Sequence, residues 1–186
     1  MRIISGTLKG RSINFLKNSI TRPLKDSVKE NIFNILKHSN LIDVTVENAN
    51  ILDLYSGIGS FGLESISRGA KKVTFVEQNK NVANILKENS IKLDVANKAK
   101  IININAENIL ENNISDKFDI IFLDPPFLDQ SFIKTLNLIK ESKIYKIKHI
   151  IVIHRERKSE DNLHSLINLI LSKQYGRSKI IFGIFN

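Results

Sequence analysis

The 186 residues contain no cysteine, no tryptophan, one methionine and three prolines. Without cysteine there can be no disulfide, no thiolate-held zinc or iron–sulfur cluster and no thiol nucleophile. The four histidines, His38, His149, His154 and His164, form no H-E-x-x-H motif and no close ligand pair. The chain is therefore read as needing no metal, and its histidines as packing or surface groups. Long hydrophobic runs are missing too. Ile120–Leu123 and Ile150–Ile153 are strand-sized, far below the ~18 residues that span a bilayer. Met1-Arg2-Ile3-Ile4-Ser5-Gly6 carries a positive charge with no apolar run behind it, so no signal peptide is expected. The expected location is the cytoplasm, without membrane partners.

What is present is ordinary globular material, 42% hydrophobic and 25% charged, in a chain long enough for one domain with a small appendage. The net charge of +9 is unevenly spread. Residues 1–37 carry +6, residues 38–133 carry −4 and residues 134–186 carry +7. Basic ends around an acidic middle suit a polyanion held at the ends and a neutral or cationic ligand at the centre, although lysine-rich termini also serve solubility alone.

From residue 51 onward, apolar runs alternate with helical stretches. The runs are Ile51–Tyr55, Val73–Glu77, Lys100–Ile104, Phe118–Leu123 and His149–His154. Between them Phe61–Arg68, Asn79–Val95, Ala106–Asn112 and Ser131–Glu141 repeat apolar residues at three and four, as Val82, Ile85, Leu86 and Leu93 do. This is the pattern of βαβ units and a parallel sheet covered on both faces. A last helix is expected near Asp161–Leu166. Ile167–Lys173 and Ile180–Phe185, joined by Gln174-Tyr175-Gly176-Arg177, predict an antiparallel hairpin in which Tyr175 and Phe182 pack. At the start, Arg2–Ser5 and Arg11–Phe15 flank Gly6–Gly10 as a basic hairpin. Lys25–His38 is an amphipathic helix and Leu41–Asn50 a linker.

Gly57, Gly59 and Gly62 satisfy G-x-G-x-x-G between the first core strand and its helix, where the backbone can approach a ligand closely. Glu77 closes the second strand and could accept both ribose hydroxyls of a nucleoside; a surface pair with Lys80 is the alternative. These features alone fit a nicotinamide dinucleotide as well as S-adenosylmethionine. Asp53, just before the glycine loop, would oppose a pyrophosphate and suits a methionyl ammonium. The fourth strand ends in Asp124-Pro125-Pro126-Phe127, at the carboxyl edge where such sheets bind ligands. The Asp124 carboxylate and the Pro125 carbonyl can each accept one N–H of a nucleobase amine and turn its lone pair toward a methyl sulfonium. The prolines stiffen the backbone, and Phe127 can stack on the base. Glu107 could accept an adenine amino group or be an ordinary first-turn acid.

Residues 52–70, LDLYSGIGSFGLESISRGA, with Asp124–Phe127, resemble class I S-adenosylmethionine-dependent methyltransferases that modify exocyclic amines. The opening MRIISGTLKGRSI, Arg22-Pro23, Asp26–Leu36 and Gln174-Tyr175-Gly176 resemble the RsmD family of bacterial 16S ribosomal RNA guanine-N2 methyltransferases. The resemblance implies a Rossmann-like α/β fold. Its seven-stranded sheet would be mostly parallel with an antiparallel C-terminal edge hairpin, after a small N-terminal β-hairpin and helix. Residues 1–40 would form the RNA-binding hairpin and helix, and residues 41–186 the methyltransferase domain. Asp53, Tyr55, Gly57, Gly59, Gly62, Glu77, Ala106 and Glu107 would contact S-adenosylmethionine. Asp124, Pro125, Pro126 and Phe127 would hold the guanine. Arg2, Lys9, Arg11, Arg22 and Lys25 would grip RNA phosphates beside the mouth of the site. The expected partner is 16S rRNA within an assembled or assembling 30S subunit, met by a monomer. Leu24 and Lys29 depart from the family's usual Thr and Arg, and Lys29 loses a two-pronged donor at the expected RNA contact. A DNA adenine-N6 methyltransferase, a nicotinamide-dependent oxidoreductase and a non-catalytic ribosome-assembly factor are the rival functions.

Overall fold

A computed structural model describes residues 1–15, 24–112 and 114–186. Strands β1 (Asn50–Leu54), β2 (Lys72–Val76), β3 (Ala99–Ile102), β4 (Phe118–Leu123) and β5 (Tyr145–Glu156) run parallel. β6 (Ile167–Tyr175) and β7 (Ser178–Phe185) form an antiparallel hairpin attached to β5 through β7. The sheet order is β3-β2-β1-β4-β5-β7-β6. The helices are α1 (Asp26–His38), α2 (Ser60–Ser67), α3 (Lys80–Lys92) and α4 (Phe132–Ser142). Strand order reverses between β1 and β4, and the crevice beyond their carboxyl ends is where an open α/β sheet takes a ligand. Leu54 of β1 pairs with Leu123 of β4, so Asp53 and Asp124 arrive at that crevice from adjacent strands.

The strands form where apolar residues run without alternation. Phe118, Ile120, Ile121, Phe122 and Leu123 are all buried, as a strand covered on both faces requires. β4 coincides with the expected run, whereas β5 starts four residues earlier than expected. Its first four residues are half-buried or exposed, with Lys146 and Lys148 interrupting the apolar residues, which hides it from a search for continuous apolar runs. α3 is started by Asn79, whose side chain accepts from the N–H groups of Asn81 and Val82.

Two expected helices differ. Ala106–Asn112 is a 3-10 stretch, opened by the Asn105 side chain accepting from Glu107 N–H at 3.1 Å. Local side-chain bonds of this kind compete with α-helical ones. Asp161–Leu166 is an extended passage ending in a turn at 164–166. Asp161 is drawn into a buried ion pair with Arg155, and Leu163 and Leu166 plug the core beneath it.

The N-terminal hairpin is reduced to one bridge, Arg2 to Ser12, flanked by bonds between Ile3 and both Arg11 and Gly10. Ile3, Ile13, Val28, Ile32 and Phe33 belong to the same buried cluster as Ile51 and Phe122. The rings of Phe33, Phe61 and Phe122 stack in series, 5.0 and 3.9 Å between centroids, joining α1 to α2 and β4. Beneath them the fully buried Glu64 of α2 accepts from Ile4 N–H, Ser5 N–H and Arg68 Nε, with Lys29 Nζ 3.5 Å away. Lys29 is thus spent on holding the arm to α2. Its side chain has no exposed surface, so the loss of a two-pronged donor at this position falls on the contact with Glu64.

Candidate active site

At the β1–β2 end of the crevice the glycine loop turns sharply. Tyr55, Gly57 and Gly59 all have positive φ, and Gly59 lies so close to α3 that a Cβ would meet Leu86 Cδ1 at 2.2 Å. At Gly62 a Cβ would meet the Phe75 ring at 2.2 Å, so this glycine lets α2 settle on β2. Gly57 borders open space. Glu77 holds the loop, with Oε2 accepting from Gly57 N–H at 2.9 Å and Oε1 from Asn79 N–H at 2.8 Å. Each oxygen keeps a lone pair for a further donor. Among the described residues Glu77 forms no ion pair with Lys80.

Asp53 is fully buried and accepts from Gly62 N–H at 3.0 Å. Burial pushes its carboxyl well above the ordinary range. The Gly62 bond opposes the shift, and the nearby Asp124 and Glu77 add to it. Among the described residues no cation neutralises Asp53, and the buried hydroxyl of Ser60, the first residue of α2, lacks a partner. A cationic, hydrogen-bonding group would satisfy this end of the site, and a methionyl ammonium has that chemistry. Tyr55 places its hydroxyl 3.5 Å from Thr135 Oγ1 of α4. Ala106 is buried, and Glu107 pairs with Lys134 at 3.2 Å near the rim.

At the other end stands the tetrapeptide. Asp124 continues from β4, and its Oδ1 lies 2.7 Å from His154 Nδ1. His154 Nε2 is 2.9 Å from Ser178 Oγ. Facing a carboxylate, Nδ1 donates to Asp124, while the Ser178 hydroxyl, which can donate or accept, is the partner of Nε2. Arg155, the next residue, is fully buried and donates from Nη1 to the Pro126 carbonyl and from Nη2 to the Phe127 carbonyl, both at 3.0 Å. Asp161 balances its charge at 3.0 Å, and the guanidinium lies over the Phe132 ring. Consecutive strand residues point to opposite faces. One therefore holds the Asp124 side chain and the other the loop backbone. Pro126 and Phe127 carbonyls are occupied, and no donor among the described residues reaches that of Pro125. The second Asp124 oxygen and the Pro125 carbonyl are left as acceptors. The Phe127 ring meets His154 edge-on, 5.6 Å between centroids.

A family model described as Conserved hypothetical protein 95 matches residues 1–184. Ribosomal RNA small subunit methyltransferase D of Haemophilus influenzae is 36% identical over 159 residues, covering 84% of this chain and 79% of that protein. The chain belongs to this family, the RsmD family. The solved structure of yhhF from Escherichia coli matches with a TM-score of 0.82 at 27% identity, over 100% of this chain and 98% of that one. An RNA methyltransferase from Salinibacter ruber, solved with S-adenosyl-L-homocysteine, shares the fold at a TM-score of 0.63 and 13% identity, over 89% and 95% of the two chains.

In this RsmD-family chain Asp53, Gly57, Glu77 and Asp124 stand at the carboxyl ends of neighbouring strands or the loop after them, Gly62 is packed against β2, and the predicted RNA residues do not all lie near them. The tip of the N-terminal arm lies on the far end of α2, where Thr7 N–H donates to Ser67 O. Eight helical residues, roughly 12 Å, separate that point from the glycine loop. Arg2 and Lys9 are exposed on this arm, and Lys25 is exposed at the start of α1. The Arg11 guanidinium donates to the carbonyls of Leu93 and Lys92 at the end of α3. Arg22 lies outside the described residues. His154, Arg155, Asp161 and Ser178 are site residues that motif reading missed. The one signal available was an arginine and a histidine flush against the apolar run Ile150–Ile153, which a buried strand admits only with partners.

Proposed function

We propose that this chain transfers a methyl group from S-adenosylmethionine to the exocyclic N2 of a guanine in 16S ribosomal RNA. It acts in the cytoplasm, as a monomer, on the small subunit or its precursor. The observation that carries this reading is Asp124, a carboxylate at the switch point of the sheet with one oxygen fixed by His154 and the other beside the open Pro125 carbonyl.

The bound cofactor supplies an electrophilic methyl group on a sulfonium. The chain supplies position and charge. Asp53 receives the methionyl ammonium, and Glu77, already fixed by two backbone donors, accepts the ribose hydroxyls. The amine of an unstacked guanine donates one N–H to Asp124 and one to the Pro125 carbonyl, which aims its lone pair at the methyl group. As the amine becomes cationic, the Asp124 charge grows more favourable, so its effect is greater on the transition state than on binding, and loss of one N–H proton on the Asp124 side restores the neutral amine. Phe127 offers its ring to the base. Asp124→Ala should abolish transfer while leaving S-adenosylmethionine affinity at the wild-type value in calorimetry. Wild-type turnover in that variant contradicts the mechanism.

A further inference from the structure

Among the described residues the tip of the N-terminal arm lies at the other end of α2, so Arg2 and Lys9 are not placed to hold the backbone of a guanine at Asp124. Asp53, the glycine loop and Glu77 lie on the β1–β2 side of the crevice, and the β5 side lies next to Asp124. Three exposed cations meet there. β5 ends at Glu156 and continues into Arg157 and Lys158. β7 begins where β5 ends, with Ser178 paired to Glu156, so the Gly176-Arg177 turn rises at the same edge. Arg157 N–H donates to the Arg177 carbonyl at 2.8 Å, tying the two segments together. Glu156, Arg157, Lys158, Gly176 and Arg177 line a cleft of about 510 Å³.

The charge in this cleft is one-sided. Glu156 is its one acidic lining residue, 3.6 Å from Arg177 Nη2, and the Arg177 side chain remains 70% exposed. Among the described residues neither Arg157 nor Lys158 forms an ion pair. The cleft also adjoins the base site, because Ser178, which follows Arg177, bonds His154, and His154 bonds Asp124. Arginine forks and a lysine beside a base pocket match phosphodiester oxygens in shape and sign. Contacts of this kind set register, whereas contacts to the base set identity.

We propose that Arg157, Lys158 and Arg177 grip the phosphodiester backbone of the RNA strand that carries the target base. This rests on the RNA-methyltransferase reading of the neighbouring site. The test compares wild type, Arg157→Gln/Lys158→Gln/Arg177→Gln, and Arg2→Gln/Lys9→Gln at the far end of α2. Binding of a labelled 16S rRNA fragment and of undermethylated small-subunit particles is measured over a range of salt, beside calorimetry with S-adenosylmethionine. The triple variant should bind RNA about tenfold more weakly at low salt, and its log–log salt slope should fall by about two, at roughly 0.7 per lost contact. Its cofactor affinity should match wild type, and the loss should exceed that of the far-end variant. Equal RNA affinity and salt slope in wild type and triple variant overturn the proposal. If wild type binds RNA through the cleft but transfers no methyl group, the function fails and the cleft stands. If wild type binds no RNA, both fall.

Discussion

At the scale of single residues the site is built from charges held away from their comfort. Asp53 has burial and two neighbouring carboxylates against it and one backbone N–H for it. A carboxyl whose folded pKa is raised favours the folded state below its unfolded pKa, and that contribution is lost as pH rises through the folded value. Asp53→Asn keeps an acceptor for Gly62 and removes the charge. The unliganded variant should melt above wild type once the pH lies above the raised folded value, with the gap opening as pH rises from the ordinary carboxyl range through that value. Its affinity for S-adenosylmethionine should fall about tenfold or more. Calorimetry and thermal melts at several pH values check both. His154 predicts a different signature. Leucine there should lower kcat by tenfold to a hundredfold on the order of a lost positioning contact. Asparagine, whose amide replaces Nδ1–H, should recover more of it than glutamine, whose amide reaches toward Ser178. Equal rates for asparagine and glutamine would reduce His154 to packing.

Asp53, Glu77 and Asp124 are legible in the sequence because each sits at the carboxyl end of a strand, inside a string whose spacing has one sensible geometry. His154 is not. Its partners lie 30 residues back and 24 residues ahead, and the pairing exists only once β4, β5 and β7 are neighbours. Lys29 carries the same lesson in reverse. A basic residue in a basic segment reads as a surface charge until Glu64, buried and 35 positions away, is seen beside it.

At the scale of elements, the end of β5 and the passage after it act as one clamp on the tetrapeptide loop. Arg155 gives two bonds to the loop, and Asp161 makes that burial tolerable. Because Asp161 must reach back to Arg155, Asp161–Leu166 does not wind into the helix expected there. Asp161→Ala should cost about 3–5 kcal/mol by leaving a buried guanidinium uncompensated, a fall in Tm on the order of 10 °C. The apolar pair Arg155→Met/Asp161→Leu should regain most of that stability but not turnover, because the carbonyls of Pro126 and Phe127 lose their donors. Thermal melts beside single-turnover rates separate the two effects. Strands covered on both faces are legible from apolar runs alone. The half-exposed start of β5 and the 3-10 stretch at Ala106–Asn112 depend on neighbours and local side-chain bonds that periodicity does not encode.

Across the whole molecule the charge distribution gains a direction. The basic N-terminal block divides between an arm sewn onto the ends of α2 and α3 and a helix packed through Phe33. Part of the basic C-terminal block rises at the edge where β5 ends and β7 begins, next to His154 and Asp124. The acidic middle supplies Asp53, Glu77 and Asp124 to the crevice. In the proposed function the polyanion and the small cationic ligand suggested by composition meet across the switch point between β1 and β4. The most direct measurement incubates the protein with methyl-labelled S-adenosylmethionine and undermethylated 30S particles, naked 16S rRNA or duplex DNA, and then separates the labelled nucleosides. Label in N2-methylguanosine from 16S rRNA is the predicted result. Label in N6-methyladenine from DNA, or no label from a protein that still binds the cofactor, would contradict it.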